Sequence, residues 1–144
     1  EVRDRHVWDL YAGIGDTTRQ LLAGGASVES VESDVRAVRV ADARGPAVGV
    51  QVRRHAGRVE DLLPSLRDPG LVITNPPRVG MDERVTAGLR ARHPRRIVYI
   101  SCDPATLARD IARLGEGYRV SGVEAFDLFP QTAHVESVTV LDAA

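Results

Sequence analysis

Two short runs constrain this chain more than any other feature: Leu71-Val72-Ile73-Thr74 and Ile97-Val98-Tyr99-Ile100 are apolar almost without interruption and each stops at a turn. A strand solvated on one face alternates polar and apolar residues; a strand that does not alternate reads as buried on both faces, as in a parallel sheet. The rest of the chain supplies what such a sheet needs. Val7 to Tyr11 reads as a strand, Gly13 and Gly15 as a turn, and Thr17 as the cap of a helix running through Ala23 to Gly24-Gly25. Ser27 to Glu32 is a second strand. It leads to a helix over 34–44 with Val35, Val38 and Val40 or Ala41 inward, closed by Gly45-Pro46.

The unit then repeats. A third strand is expected over Ala47 to His55, where Val48, Val50 and Val52 alternate, followed by a short helix from Glu60 to Leu66 ended by Asp68-Pro69-Gly70. After the fourth strand, Arg84 to Ala91 is helical; after the fifth, Pro104 opens a helix with Leu107, Ile111 and Leu114 on its apolar face. Tyr118 to Phe126 and Val135 to Leu141 follow with no helix between them, so the last strand should pair antiparallel. The expected fold is α/β and doubly wound, a Rossmann-like seven-stranded sheet, mostly parallel with an antiparallel last strand, in one domain over residues 1–144.

The bulk numbers narrow the class. All 19 basic residues are arginine and the net charge is -1. A domain that grips nucleic acid unaided usually carries a positive excess, so an RNA ligand would need other parts of a protein to hold it. With one cysteine there is no internal disulfide and no metal site of the usual spacing. No apolar run approaches membrane-spanning length and no leader is read at the start, so a cytoplasmic protein without membrane partner or metal is expected.

Asp9-Leu-Tyr-Ala-Gly-Ile-Gly15 superficially matches a dinucleotide fingerprint, but the third glycine of that pattern would fall at Thr18. An acid, three residues, then Gly, any residue, Gly resembles instead the turn of S-adenosylmethionine-binding sheets. A carboxylate able to accept from both ribose hydroxyls should then end the second strand, and Glu32 is there.

Three later stretches extend the likeness: Asn75-Pro-Pro-Arg-Val-Gly80, Ser101-Cys-Asp-Pro-Ala-Thr-Leu-Ala-Arg-Asp110 and Asp127-Leu-Phe-Pro-Gln-Thr-Ala-His-Val-Glu136, each at a strand end and in that order. Together with the glycine turn they resemble the catalytic domain of the RNA (uracil-5-)methyltransferases, the family that makes 5-methyluridine in transfer and ribosomal RNA, over Val7 to Leu141. The resemblance implies S-adenosylmethionine as cofactor, RNA as partner, Cys102 as the nucleophile that adds to uracil carbon 6, and Glu136 as the base that removes the carbon 5 proton. It places Tyr11, Gly13, Gly15, Asp16, Glu32 and Asn75 around the cofactor. A free thiol is mostly protonated near neutral pH, so surroundings that favour the thiolate are expected, from the start of the helix at Pro104 or from Arg78.

Asn75 stands where the family more often has Asp; some ribosomal-RNA members share the Asn, which tilts the expectation towards ribosomal RNA. The same Asn-Pro-Pro also resembles methyltransferases acting on amino groups of bases, although Arg78 stands where those carry an aromatic residue. A non-catalytic S-adenosylmethionine-binding module is the other alternative. Family members usually carry an RNA-binding barrel and a middle domain before the catalytic one, and some hold an iron-sulfur cluster. None of these is found in these residues, so either a catalytic domain taken from a longer protein or a natural stand-alone form is expected, the near-neutral charge favouring the former.

Overall fold

The computed structural model describes residues 1–45, 51–128, 130–132 and 135–144. Among them, seven strands form one sheet: β1 (His6–Leu10), β2 (Ser27–Glu32), β3 (Val52–Ala56), β4 (Leu71–Thr74), β5 (Arg96–Ser101), β6 (Tyr118–Phe126) and β7 (Glu136–Ala143). Their spatial order is β3-β2-β1-β4-β5-β7-β6. The first five pair parallel, and β7 is antiparallel to both β5 and β6. The expected sheet is thus the observed one. The part of the third strand expected over 47–50, including Val48 and Val50, lies outside the described residues.

The helices are α1 (Asp16–Ala23), α2 (Val35–Ala43), α3 (Val59–Leu62), α4 (Glu83–Arg92) and α5 (Pro104–Leu114). On one face of the sheet Trp8, Val72, Ile97, Tyr99 and Leu141 meet Val59 of α3, Val85 and Leu89 of α4, and Leu107 and Leu114 of α5. On the other, Val7, Val28 and Leu71 meet Leu21 and Leu22 of α1. Trp8 is fully buried, and its indole N–H donates to the Arg67 carbonyl at 2.8 Å. Burial of each such side chain contributes roughly 1.5–3 kcal/mol provided its polar atom is satisfied in this way.

Three local expectations are corrected. Thr17 does not cap α1; the helix begins one residue earlier, behind Gly15 in a left-handed conformation (φ 83°). Neighbouring Thr18 turns inward instead and donates to buried Asp9. In α2, Val35 and Val40 are not inward but 50% and 44% exposed. Ala41 sets the phase: it packs on the glycine turn so closely that a Cβ at Gly15 would meet its Cβ at 3.1 Å. At about 100° per residue, Val40 and Val35 then lie roughly a third of a turn away from the inner face, while Val38 stays near it. The segment over 60–66 divides, because Pro64 ends α3 and a single 3-10 turn covers Leu63–Ser65.

Candidate active site

The site forms along the carboxyl ends of β1, β2, β4 and β5, where the crossovers of a parallel sheet leave a crevice. After β1 the chain passes through two left-handed residues, Tyr11 (φ 62°) and Gly13 (φ 55°), before Gly15. A Cβ at Gly13 would touch nothing within 4 Å. Glycine is needed there for conformation, and the space in front of it stays open.

Glu32, the last residue of β2, points at this turn. Its Oε2 accepts from the Gly13 N–H at 2.8 Å and its Oε1 from the Asp34 N–H at 2.8 Å. A carboxylate has about four acceptor positions; a third partner, the Ser33 hydroxyl on Oε1 at 3.4 Å, is one that a ligand hydroxyl can replace, so up to two can serve a ligand. Glu32, Tyr11 and Asn75 line one cleft of about 720 Å³, with Arg58, Glu60 and Asp82 on its walls. Burial pushes the Tyr11 phenol well above its ordinary value, with Glu60 adding to the effect, so it stays neutral. Asn75 follows β4, where its N–H donates to the Leu10 carbonyl at 3.2 Å.

Asp16 is placed differently. It is exposed in the first turn of α1 and pairs at 2.5 Å with Arg44, whose guanidinium also reaches the Ile14 carbonyl at 3.5 Å. It braces the glycine turn from outside and does not line the cleft.

Cys102 is half-buried in the turn between β5 and α5. Ser101 staples that turn: its Oγ accepts from the Asp103 N–H at 3.0 Å and donates to the Asp103 carbonyl at 2.9 Å. Asp103 caps α5, accepting from Ala105 N–H at 2.9 Å and Thr106 N–H at 3.0 Å. Those bonds, Thr106 first, hold the Asp103 carboxyl below the usual carboxylate range. Arg78 directs its Nε to Asp103, 3.7 Å away. Both sources expected to favour a thiolate therefore engage Asp103, the chain neighbour of Cys102. Glu136, half-buried, opens β7. Ser101 and Ser137 are paired Cα partners of the antiparallel ladder, so Glu136 and Cys102 come next on either side of the same rung. Neither residue lines the cleft, which runs past the Asn75–Met81 loop to Arg109 and Arg113 of α5.

Three residues of the quoted motifs have a part that residue type alone does not reveal. Asp110 is fully buried; its Oδ2 accepts from the Met81 N–H and the Tyr99 hydroxyl, both at 2.7 Å. Its Oδ1 accepts from Arg109 Nη2 at 2.9 Å, and the same Nη2 donates to the Val79 carbonyl at 2.7 Å. Gly80 has φ 79°, and a Cβ there would lie 2.6 Å from Asp110 Oδ2 and against Arg109. The only sequence signal was a charged residue, Asp110, three positions after Leu107 on the apolar face of α5. Asp9, under the glycine turn, is also buried; desolvation raises it to about 6 despite the Thr18 hydroxyl bond at 2.5 Å, which favours the ionised form. Among the described residues no cluster of His, Cys, Asp or Glu is arranged to hold a metal ion, and no helix is long and apolar enough to cross a membrane.

Residues 29–144 match the family model described as tRNA (uracil-5-)-methyltransferase. The chain is 43% identical to an RNA methyltransferase of Gloeobacter violaceus over 141 residues, which is 96% of the chain and 31% of that protein. It is 34% identical to the 23S rRNA (uracil(747)-C(5))-methyltransferase of Vibrio cholerae, across 98% of the chain and 38% of that protein. Among solved structures it is similar to the Pyrococcus abyssi tRNA (uracil-54, C5)-methyltransferase in complex with S-adenosyl-L-homocysteine, at TM-score 0.86 and 32% identity, covering 97% of the chain and 35% of that one. The chain thus spans about a third of the length of the relatives it matches. The four ordered motifs, the sheet order and these matches agree, and the chain belongs to the tRNA (uracil-5-)-methyltransferase family.

Proposed function

We propose that this chain is the catalytic part of an enzyme that transfers a methyl group from S-adenosylmethionine to carbon 5 of a uridine in RNA. The observation that supports this reading is the β5–β7 register, whose last pair is Ser101 with Ser137, so that Cys102 and Glu136 are the next residues at that end of the sheet, the end where Glu32 and Asn75 line the cleft. The cleft suits the cofactor: Gly13 leaves its front open, and Glu32 keeps acceptor positions for ribose hydroxyls while two backbone N–H groups fix it. Tyr11 and Asn75 complete the walls, and Asp16 acts from behind by holding Arg44 against the turn that Gly15 closes.

When bound, S-adenosylmethionine supplies an electrophilic methyl group on a sulfonium sulfur. Uracil carbon 5 is a poor nucleophile, so the thiolate of Cys102 first adds to carbon 6, and the displaced electron pair of the 5,6 double bond becomes available at carbon 5. Once carbon 5 has gained the methyl group, the Glu136 carboxylate removes the proton left on it. The double bond re-forms and the thiolate leaves carbon 6.

Ribosomal RNA is our choice of substrate class, on Asn75 standing in place of the more usual Asp. With a net charge of -1, the chain would rely on further protein surface to hold it. The test is methyl transfer from labelled cofactor to ribosomal and transfer RNA transcripts, with the product nucleoside identified. We expect 5-methyluridine in ribosomal RNA and none from Cys102→Ala. Methyl on an exocyclic amine, or transfer that persists in Cys102→Ala, overturns the mechanism; product in transfer RNA alone overturns the substrate class.

A further inference from the structure

The mechanism needs two halves of the site to be in register, yet they sit on different loops. Cofactor contacts end on Asn75, after β4; the nucleophile is in the turn before α5. One face of α5 joins them. Thr106 Oγ1 donates to the Arg78 carbonyl at 3.1 Å, Arg109 Nη2 to the Val79 carbonyl at 2.7 Å, and Asp110 Oδ2 accepts from the Met81 N–H at 2.7 Å. Three side chains within little more than one turn of one helix thus hold Arg78, Val79 and Met81 of the loop, and the first turn of that helix is the one Asp103 caps beside Cys102. Tyr99 ties the same carboxylate to β5 through its hydroxyl at 2.7 Å.

We propose that Arg109 and Asp110 are positioning residues that lock the Asn75–Met81 loop onto α5, so that filling the cleft at Asn75 fixes the turn carrying Cys102. This rests on the reading of the cleft as the cofactor site and of Cys102 as the nucleophile. The clasp is a built feature of the fold: Asp110 is fully buried, and Gly80 is the residue whose missing Cβ lets the loop close on it. A buried carboxylate with every oxygen engaged makes the loop and helix move as one body. A ligand that orders the loop therefore also orders the helix start, which is an energetic coupling between two sites.

The experiment measures the rate at which iodoacetamide alkylates Cys102, with and without saturating S-adenosylhomocysteine, in the wild type, Arg109→Gln and Thr106→Val. Titration calorimetry gives the affinity of each. In the wild type the ligand is expected to change the alkylation rate by about fivefold or more, within the usual range of such couplings. In Arg109→Gln binding weakens, and at saturation the ligand no longer alters the rate; Thr106→Val, which removes one bond of the three and spares the buried carboxylate, shows a partial loss. Hydrogen exchange at Gly80 and Met81 should rise in Arg109→Gln while β5 stays protected.

An undiminished ligand effect in both variants means that the ligand merely covers the thiol, and overturns the coupling. Unchanged exchange at Gly80 and Met81 overturns the clasp itself. Failure of S-adenosylhomocysteine to bind the wild type overturns the cofactor reading and the coupling with it, whereas binding with an unaltered alkylation rate overturns the coupling alone.

Discussion

Ser137 Oγ donates to the carbonyl oxygen of Ser101 at 3.2 Å, and the two residues are partners in the antiparallel ladder immediately before Cys102 and Glu136. The side-chain bond adds to the ladder at the point where β5 ends, so the spacing of Cys102 and Glu136 is set by sheet geometry rather than by a free loop. Replacing Glu136 by Gln keeps the shape of the site and removes the carboxylate that our proposal makes the base. Turnover is expected to fall by about 10²–10⁴, the usual contribution of a positioned base. RNA should accumulate covalently attached to Cys102, visible as a shifted band on a denaturing gel; turnover near that of the wild type would exclude Glu136 as the base.

Glu32→Ala removes a carboxylate that both receives ligand hydroxyls in our reading and fixes the Gly13 turn through its N–H at 2.8 Å. Loss of a charged hydrogen-bond acceptor is worth roughly 1.5–3 kcal/mol. Calorimetric affinity for S-adenosylhomocysteine should therefore drop at least about tenfold. Asp16→Ala, away from the cleft, is expected to weaken binding less.

Asp9 makes stability depend on pH. Its pKa rises from 3.8 to about 6 in the folded chain, chiefly because it is buried. The folded state therefore binds a proton more tightly than the unfolded chain, and this part of the stability is fully present below about pH 3.8 and lost as pH rises through about 6. A shift of this size corresponds to about 3 kcal/mol. Asp9→Asn keeps an acceptor for the Thr18 hydroxyl and removes the titration. Denaturation curves between pH 4 and pH 7 should show the wild type losing stability relative to the variant by an amount of that order; parallel curves would contradict the assignment.

Gly80→Ala sets a methyl group 2.6 Å from Asp110 Oδ2, on a backbone of φ 79°. Strain at a left-handed position and overpacking each cost about 1–3 kcal/mol. Urea unfolding should report a loss of about 2–6 kcal/mol from the two together, whereas Gly13→Ala, with the same kind of backbone but nothing within 4 Å, should cost less stability and act on ligand binding instead.

Much of the fold was legible along the chain. Ser27–Glu32, Leu71–Thr74 and Tyr118–Phe126 are strands at their expected bounds, because glycine and proline turns flank them and their composition leaves little choice. Glu32 was legible too: strand length and the glycine turn before it fix which residue reaches the crevice. The phase of α2 was not, since Val35, Val38 and Ala41 repeat with a helical period that several rotations satisfy, and only the approach of Ala41 to Gly15 chooses one.

The sequence by itself determined the alternation of strands and helices, the antiparallel ending and the order of the four motifs, since all of these follow from local propensity and hydrophobic period. Tertiary structure alone decided that Arg78 turns to Asp103, that Asp16 turns to Arg44, and that Asp110 leaves solvent to hold Met81 and Tyr99. A charged side chain can reach many partners from one position on a chain, and which one it meets depends on loops distant in sequence that the sheet brings together.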